Sequence, residues 1–392
     1  MHTSPSAVLS GLRLRWAQFA VLSLLSLFGA YWLLKAAWSP GNAARWLALA
    51  GLTLAYLLAV LWRGLPANHR AGETQLLPSF GWGNRMTLLR GLLVAGLVGF
   101  LFSPRPAGWL AWIPGILYTL ADAADFLDGY LARRTNHATR LGEILDMSFD
   151  GLGVLVASSL AVQYNQVPAW YLSVALARYI FITGLWLRKR LAKPIYELPH
   201  STSRRLFAGL QMGFIAVVLW PVFSPPGTTI AAALFALPFL AGFLRDWLAI
   251  SGVLRPSQPS TSSNAPARRH LHWLPILLRV GVIITGGWVL LQRVQNTTVW
   301  GSTPLALSII DALVILSLSF GILARSSAVL GLLLVGLHQV YTGLNPGEML
   351  LVVFFTAILF LGSGPYSLWA PEEYLVHHRA GERQLHNLKG QT

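Results

Sequence analysis

Cysteine is absent from this 392-residue chain, and acidic side chains are scarce, with 14 Asp and Glu against 29 Lys and Arg. The first absence excludes disulfides and thiolate metal sites, and it leaves the redox compartment unread. The shortage of charge is general: only 11% of residues are charged while 55% are hydrophobic, and apolar stretches recur from end to end, which excludes a water-soluble globule. The start, MHTSPSAVLSGLRLRW, leads into a full-length apolar span without a small-residue cleavage site, so it reads as a retained helix.

What is there is a succession of apolar runs of about 20 residues, the length that crosses the hydrocarbon core. They fall near 16–35, 46–62, 86–103, 108–131, 143–162, 169–187, 206–224, 228–250, 273–291, 304–322, 326–342 and 348–362. The predicted fold is therefore all-α, a polytopic membrane protein with about twelve transmembrane helices. With the N-terminus inside, 22 of the 29 basic residues fall on the cytoplasmic side. The opposite side keeps Lys35, Arg45, Arg105 and Arg293, while Arg178, Arg245 and Arg279 fall inside spans. Both termini are then cytoplasmic, in the cell (inner) membrane. The net charge of +15 is spread over many short loops with no basic face, which excludes a nucleic-acid partner.

The Ser- and Pro-rich stretch RPSQPSTSSNAPARR (255–269) reads as a flexible cytoplasmic linker dividing eight spans from four. An earlier polar loop, RGLPANHRAGETQLLPSFGWGN, sets two leading helices apart from six. The segments expected are 1–79 with two helices, 80–252 with six, the linker 253–270, and a four-helix membrane domain over 271–392.

Residues 121–150, ADAADFLDGYLARRTNHATRLGEILDMSFD, hold six of the fourteen acidic residues. Asp125, Asp128, Ala132 and Arg133 share one helix face, and Gly142, Asp146 and Asp150 share a face of the next. The short basic turn RTNHATR joins the two helices and turns those faces toward each other. Four converging carboxylates repel unless cations neutralise them. Oxygen-only ligands favour hard divalent ions, Mg²⁺ or Mn²⁺, and Mg²⁺ in turn favours a phosphorylated substrate. Gly129 and Gly142 leave room for a ligand, and Arg133 offers a fork to a diphosphate. The bland alternative is a solvated helix-turn-helix in which the acids merely pair with Arg133, Arg134 and Arg140.

Written out, the stretch is D-x2-D-G-x2-A-R-x8-G-x3-D-x3-D, filled at every fixed position by Asp125, Asp128, Gly129, Ala132, Arg133, Gly142, Asp146 and Asp150. It resembles the signature of the CDP-alcohol phosphotransferases, or CDP-alcohol phosphatidyltransferases, integral membrane enzymes of phospholipid synthesis. The resemblance covers about residues 80–252. Upstream, GWGNRMTLLRG resembles the family's opening Asn-x-x-Thr-x-x-Arg, carried by Asn84, Thr87 and Arg90.

The resemblance implies two metal ions, Mg²⁺ or Mn²⁺, held by Asp125, Asp128, Asp146 and Asp150, with Asp150 as the general base. A phosphatidyl or other substituted phosphate group would pass from a CDP-linked lipid donor, CDP-diacylglycerol first among them, to an alcohol acceptor with release of CMP. By the same carry-over Gly129, Ala132, Arg133 and Gly142 line the nucleotide and diphosphate site. Asn84 and Thr87 join that site, and Asp122 either joins it or is a plain helix-end acid. On the acceptor side stand Arg178 and, alternatively as positive-inside anchors, Arg204 and Arg205. Position 151 is Gly where several branches that take phosphorylated alcohols carry Lys or Arg, so the acceptor stays open.

Membrane lipid is the other expected partner, and a homodimer is compatible with the sequence. Two rival readings are an aspartate-rich, Mg²⁺-dependent membrane prenyltransferase and an ion- or proton-coupled transporter. Arg245 and Asp246 read as an intramembrane pair orienting the last core helix. The first two helices carry no intramembrane ionisable group, so packing or lipid contact is their default. In the last four spans, Asp311, His338 and Glu348 are candidates for a second polar site, with a structural role preferred. The ending LFLGSGPYSLWAPEEYL resembles the closing motif of DoxX-like four-helix membrane proteins. NTT at 296 matches a glycosylation acceptor by pattern alone.

Overall fold

The computed structural model describes residues 5–70, 72–198, 202–254, 273–295, 303–343 and 345–373. The termini, the linker from 255 onward and the NTT at 296 lie outside the described residues. Among the described residues the regular elements are all helices, with α1 (Pro5–Ala37), α2 (Pro40–Gly64), α3 (Gly81–Val98), α4 (Ile113–Arg134), α5 (Arg140–Gln163) and α6 (Leu172–Arg190). There follow α7 (Thr202–Val218), α8 (Gly227–Ile250), α9 (Leu274–Gln295), α10 (Thr303–Phe320), α11 (Ala324–Thr342) and α12 (Pro346–Leu361). Each helix meets one of the expected apolar runs.

Seven of them, α1, α2, α4, α5, α6, α8 and α9, are long and apolar enough to cross a membrane, counting the 3₁₀ turns that extend α2, α4 and α6. The other five fall below that requirement. The all-α, polytopic reading stands, and seven full crossings are the number that length and apolarity support.

Local sequence places the helix starts. Ser39 caps α2, its side chain accepting from the Asn42 amide at 3.2 Å, with Pro40 at the first helical position. Thr139 caps α5 by accepting from the Gly142 amide at 3.1 Å. Asn345 and Glu348 form a reciprocal capping box at the start of α12. Leucines at positions 14, 22, 25 and 33 of α1 are exposed, an arrangement that suits lipid.

The described residues divide into two compact units, one from Met1–Asn165 with Met212–Pro221, the other from Gln166–Gln211 with Val222–Arg379. Of the expected core, α3, α4 and α5 lie in the first unit and α6 and α8 in the second, while α7 falls across the division.

In the first unit α3 packs against α2, α4 and α5. Its approach to α4 is close because Gly83 faces Ala132: a Cβ on Gly83 would stand 2.8 Å from the Ala132 Cβ and 3.0 Å from the Asp128 carbonyl. Trp46 of α2 donates its indole N–H to the Gly96 carbonyl at 2.9 Å. In the second unit α6 packs on α8, with Gly184 seating the Trp247 ring, and α12 packs on α8, α9 and α11.

Candidate active site

The aspartates sit on α4 and α5 where a five-residue turn reverses the chain. Several backbone bonds fix this reversal: the His137 amide donates to the Ala132 carbonyl at 2.9 Å, and the Arg140 amide to the His69 carbonyl at 3.0 Å. A buried amide ladder then ties the turn to α3. Asn68, fully buried, donates to the carbonyls of Leu77 and Ser79 at 2.9 and 3.0 Å, and its own side-chain oxygen accepts from Asn84 at 3.4 Å. Asn84 also donates to the Thr139 hydroxyl at 2.9 Å. Gly142 has no side chain because Asn84 occupies the space: a Cβ there would lie 2.5 Å from Asn84 Oδ1.

Asp125 and Asp128 lie one turn apart on α4, and Asp146 and Asp150 one turn apart on α5. One carboxylate oxygen from each of Asp125, Asp128 and Asp146 falls within 4.8 Å of the others. Between the two helices comes Arg90 of α3, whose side chain is only 5% exposed. Its guanidinium is in direct ion-pair contact with Asp125, stands 2.8 Å from Asp146 and 3.1 Å from Asp150, and reaches Asp128 at 3.9 Å. One turn earlier the Thr87 hydroxyl donates to Asp128 Oδ2 at 2.9 Å, which fixes that carboxylate's orientation.

Four carboxylates to one guanidinium leave the pocket short of positive charge. Oxygen-only donors at this separation fit hard divalent ions, so the residues present suit the group that the motif implies. The aspartates face Arg90 of α3, whereas Arg140 of the basic turn pairs with Glu143 at 2.5 Å where the chain is exposed.

Of the other expected site residues, Gly129 lies against the half-buried Arg133, whose Nη1 would stand 3.1 Å from a Cβ at 129. Ala132 packs on Gly83, which shows a helix-contact role that the motif alone did not reveal. Asp122 is half-buried one turn before Asp125 and lies outside the close trio.

Arg178, Arg204 and Arg205 belong to the second unit. There Arg204 Nε stands 3.4 Å from Asp246, and Arg245 Nη2 stands 3.2 Å from the same carboxylate. The expected Arg245–Asp246 pair is present, and Arg204 shares it. Arg205 is exposed and Arg178 half-buried.

Three residues gained a role that sequence reading did not assign: Arg90 as the cation among the carboxylates, and Asn68 and Thr139 as the scaffold of the turn. A usable signal existed for Arg90. It shares an i, i+3, i+6 face with Asn84 and Thr87, and an arginine in an apolar run calls for a carboxylate partner.

A second polar cluster lies in the C-terminal helices. Arg293 bonds Asp311 and Glu348, each at 2.5 Å, and His338 Nε2 stands 3.5 Å from Asp311. Asp311, His338 and Glu348 do come together, and Arg293, which charge counting had placed outside the span, is the hub.

Helices of membrane-crossing length carrying an all-oxygen carboxylate pocket define an integral membrane protein with a divalent-ion type of site. Residues 82–250 match the family described as CDP-alcohol phosphatidyltransferase. Among curated relatives, the CDP-diacylglycerol-glycerol-3-phosphate 3-phosphatidyltransferase of Salmonella choleraesuis is 30% identical over 168 residues, 41% of this chain and 87% of the relative. The Bacillus subtilis protein of the same name is 34% identical over 118 residues, 28% of this chain and 61% of its own length. That of Cereibacter sphaeroides is 35% identical over 106 residues, 26% of this chain and 47% of its own length. The chain thus spans less than two thirds of the last two relatives and most of the first. No solved structure matches. The chain belongs to the CDP-alcohol phosphatidyltransferase family.

Proposed function

We propose that this chain transfers a phosphatidyl group from CDP-diacylglycerol to glycerol 3-phosphate and releases CMP. The observation that carries the reading is the convergence of Asp125, Asp128, Asp146 and Asp150 around Arg90. The activity for which the relatives are named supports the donor and the acceptor, and family membership weighs against the prenyltransferase and transporter readings.

In this proposal Asp150 accepts the proton of the acceptor hydroxyl. The hydroxyl oxygen bonds to the β-phosphorus of the donor as the bond from that phosphorus to the CMP oxygen breaks, and CMP carries off the electron pair. Asp125, Asp128, Asp146 and Asp150 would hold Mg²⁺ or Mn²⁺, which supplies charge neutralisation for the diphosphate. Thr87 holds Asp128 in its ligating orientation, and Arg90 keeps the carboxylates gathered. Arg133, beside Gly129, reaches the diphosphate, and Asn84 and Gly142 hold the floor beneath it. Arg178 is the leading cation for the acceptor phosphate; Arg204, tied to Asp246, positions the last core helix. The pocket and both termini face the cytoplasm, and 80–252 is the catalytic segment.

The test is CMP release by the full chain in detergent, with CDP-diacylglycerol, glycerol 3-phosphate and Mg²⁺ or Mn²⁺. Asp150→Asn should lower turnover by about 100-fold or more, the range for loss of a general base. Chelation should abolish turnover, and either ion should restore it. Normal turnover of Asp150→Asn removes the mechanism, and CMP release with other polar alcohols but none with glycerol 3-phosphate reassigns the acceptor.

A further inference from the structure

The C-terminal helices carry a buried cation that has no ion-pair partner among the described residues. Arg279 on α9 is 5% exposed, and its Nε and Nη2 are buried without a hydrogen-bond partner. Among the described residues no carboxylate forms an ion pair with it. The acids that follow α12 turn to Arg325 instead: Glu373 bonds it at 3.0 and 3.2 Å and accepts from the Ser363 amide at 2.8 Å, while Glu372 accepts from the Arg325 amide at 3.3 Å through one oxygen and keeps the other buried without a hydrogen bond. An uncompensated buried guanidinium costs several kcal/mol, on the order of what its desolvation demands, so a fold that keeps one is built around an external anion.

The surroundings identify that anion. The guanidinium lies against the turn between α10 and α11: a Cβ on Gly321 would stand 2.8 Å from both Nη1 and Nη2, and 2.8 Å from the Ser367 Cα. The segment following α12 runs along this turn, the Leu368 amide donating to the Phe320 carbonyl at 3.1 Å and the Leu323 amide to the Trp369 carbonyl at 2.8 Å. At the start of α9, Trp273 is 57% exposed, and in the segment that carries Ser367, Tyr366 and Trp369 are 81% and 59% exposed. Exposed aromatic rings at the end of a membrane helix mark the headgroup level of a bilayer, where phosphates are plentiful. A guanidinium with open donors matches a phosphate's oxygens.

We propose that Arg279 is a binding site for the phosphate of a membrane phospholipid, seated between α9, the Gly321 turn and the segment after α12. The site lies outside the aspartate pocket and stands whether or not the transferase reading does.

The experiment measures thermal stability of the delipidated full chain in detergent, with phosphatidylglycerol, diacylglycerol or inorganic phosphate added, for the wild type, Arg279→Gln and Arg279→Leu. Phosphatidylglycerol should raise the wild-type Tm by a few degrees, and the apparent affinity read from that titration should fall about tenfold in Arg279→Gln. Diacylglycerol and inorganic phosphate should not reproduce the Arg279-dependent shift. Without lipid, Arg279→Leu should be at least as stable as the wild type, because it removes an unpaired buried charge. CMP release should be unchanged in Arg279→Gln. The proposal is overturned by an equal phosphatidylglycerol response in the wild type and Arg279→Gln, by a diacylglycerol response equal to it, or by an Arg279→Leu protein that is less stable without lipid. Full reproduction of the shift by inorganic phosphate overturns the lipid assignment in favour of a soluble anion.

Discussion

Arg90 holds a charge for which four carboxylates compete. It is in direct contact with Asp125, Asp146 and Asp150, and removing it leaves partly exposed like charges facing one another. Arg90→Gln should therefore lower the Tm measured in chelator, and added Mg²⁺ or Mn²⁺ should recover more degrees in the variant than in the wild type. An equal metal-dependent rise in both proteins would show that the guanidinium does not stand in for the missing charge. Gly142 is a second residue whose identity follows from one contact. Because a Cβ would meet Asn84 Oδ1 at 2.5 Å, Gly142→Ala should displace the amide that ties α3 to the cap of α5 and cost about 1–3 kcal/mol. Adding Asn84→Ala should then cost little more than Gly142→Ala alone, since both changes break the same contact; simple additivity in denaturation would count against it. The eight motif residues were legible because each pair lies on one helix face at a fixed spacing. Arg90's seat was not, because it depends on the long-range approach of α3 to α4 through Gly83 and Ala132.

At the scale of helices, apolar run length located every element, and caps such as Ser39–Pro40, Thr139 and Asn345 with Glu348 set their starts. Hydropathy did not show which helix ends converge. Arg293 illustrates the reason. It sits at the end of its run, where counting charges assigns it to the aqueous phase, yet packing of α9 on α10 and α12 brings it to Asp311 and Glu348, and its side chain is only 15% exposed. Glu348 is 1% exposed, and the same carboxylate closes the capping box of α12. Breaking one partner of such a buried pair costs about 3–5 kcal/mol, whereas replacing the charges together is far milder. Glu348→Leu should accordingly destabilise the protein strongly, and Arg293→Met combined with Glu348→Leu and Asp311→Leu should recover part of the loss. A triple variant less stable than Glu348→Leu alone would show that the cluster is worth more than its mutual neutralisation.

For the molecule as a whole, the placement of basic residues predicts an orientation, and the missing cysteines make it measurable. Lys and Arg are retained on the cytoplasmic side during insertion, and here they crowd the ends that include the turn between α4 and α5, where Arg133, Arg134 and Arg140 cluster. The α3 to α4 connection on the other side carries only Arg105. Because α4 is long and apolar enough to cross the bilayer, these two connections must open to opposite sides. The native chain has no thiol, so a single introduced cysteine reports one position without background. Thr135→Cys and Ala107→Cys both replace exposed residues in those connections. In intact cells a membrane-impermeant maleimide should modify Cys at 107 and spare Cys at 135, and in inside-out vesicles the pattern should reverse. That result would place the aspartate pair on the side from which the acceptor proposed above, a soluble phosphorylated alcohol, is supplied. Labelling of position 135 from outside would put the carboxylates on the far face, and the orientation argued from the basic residues would fail with it.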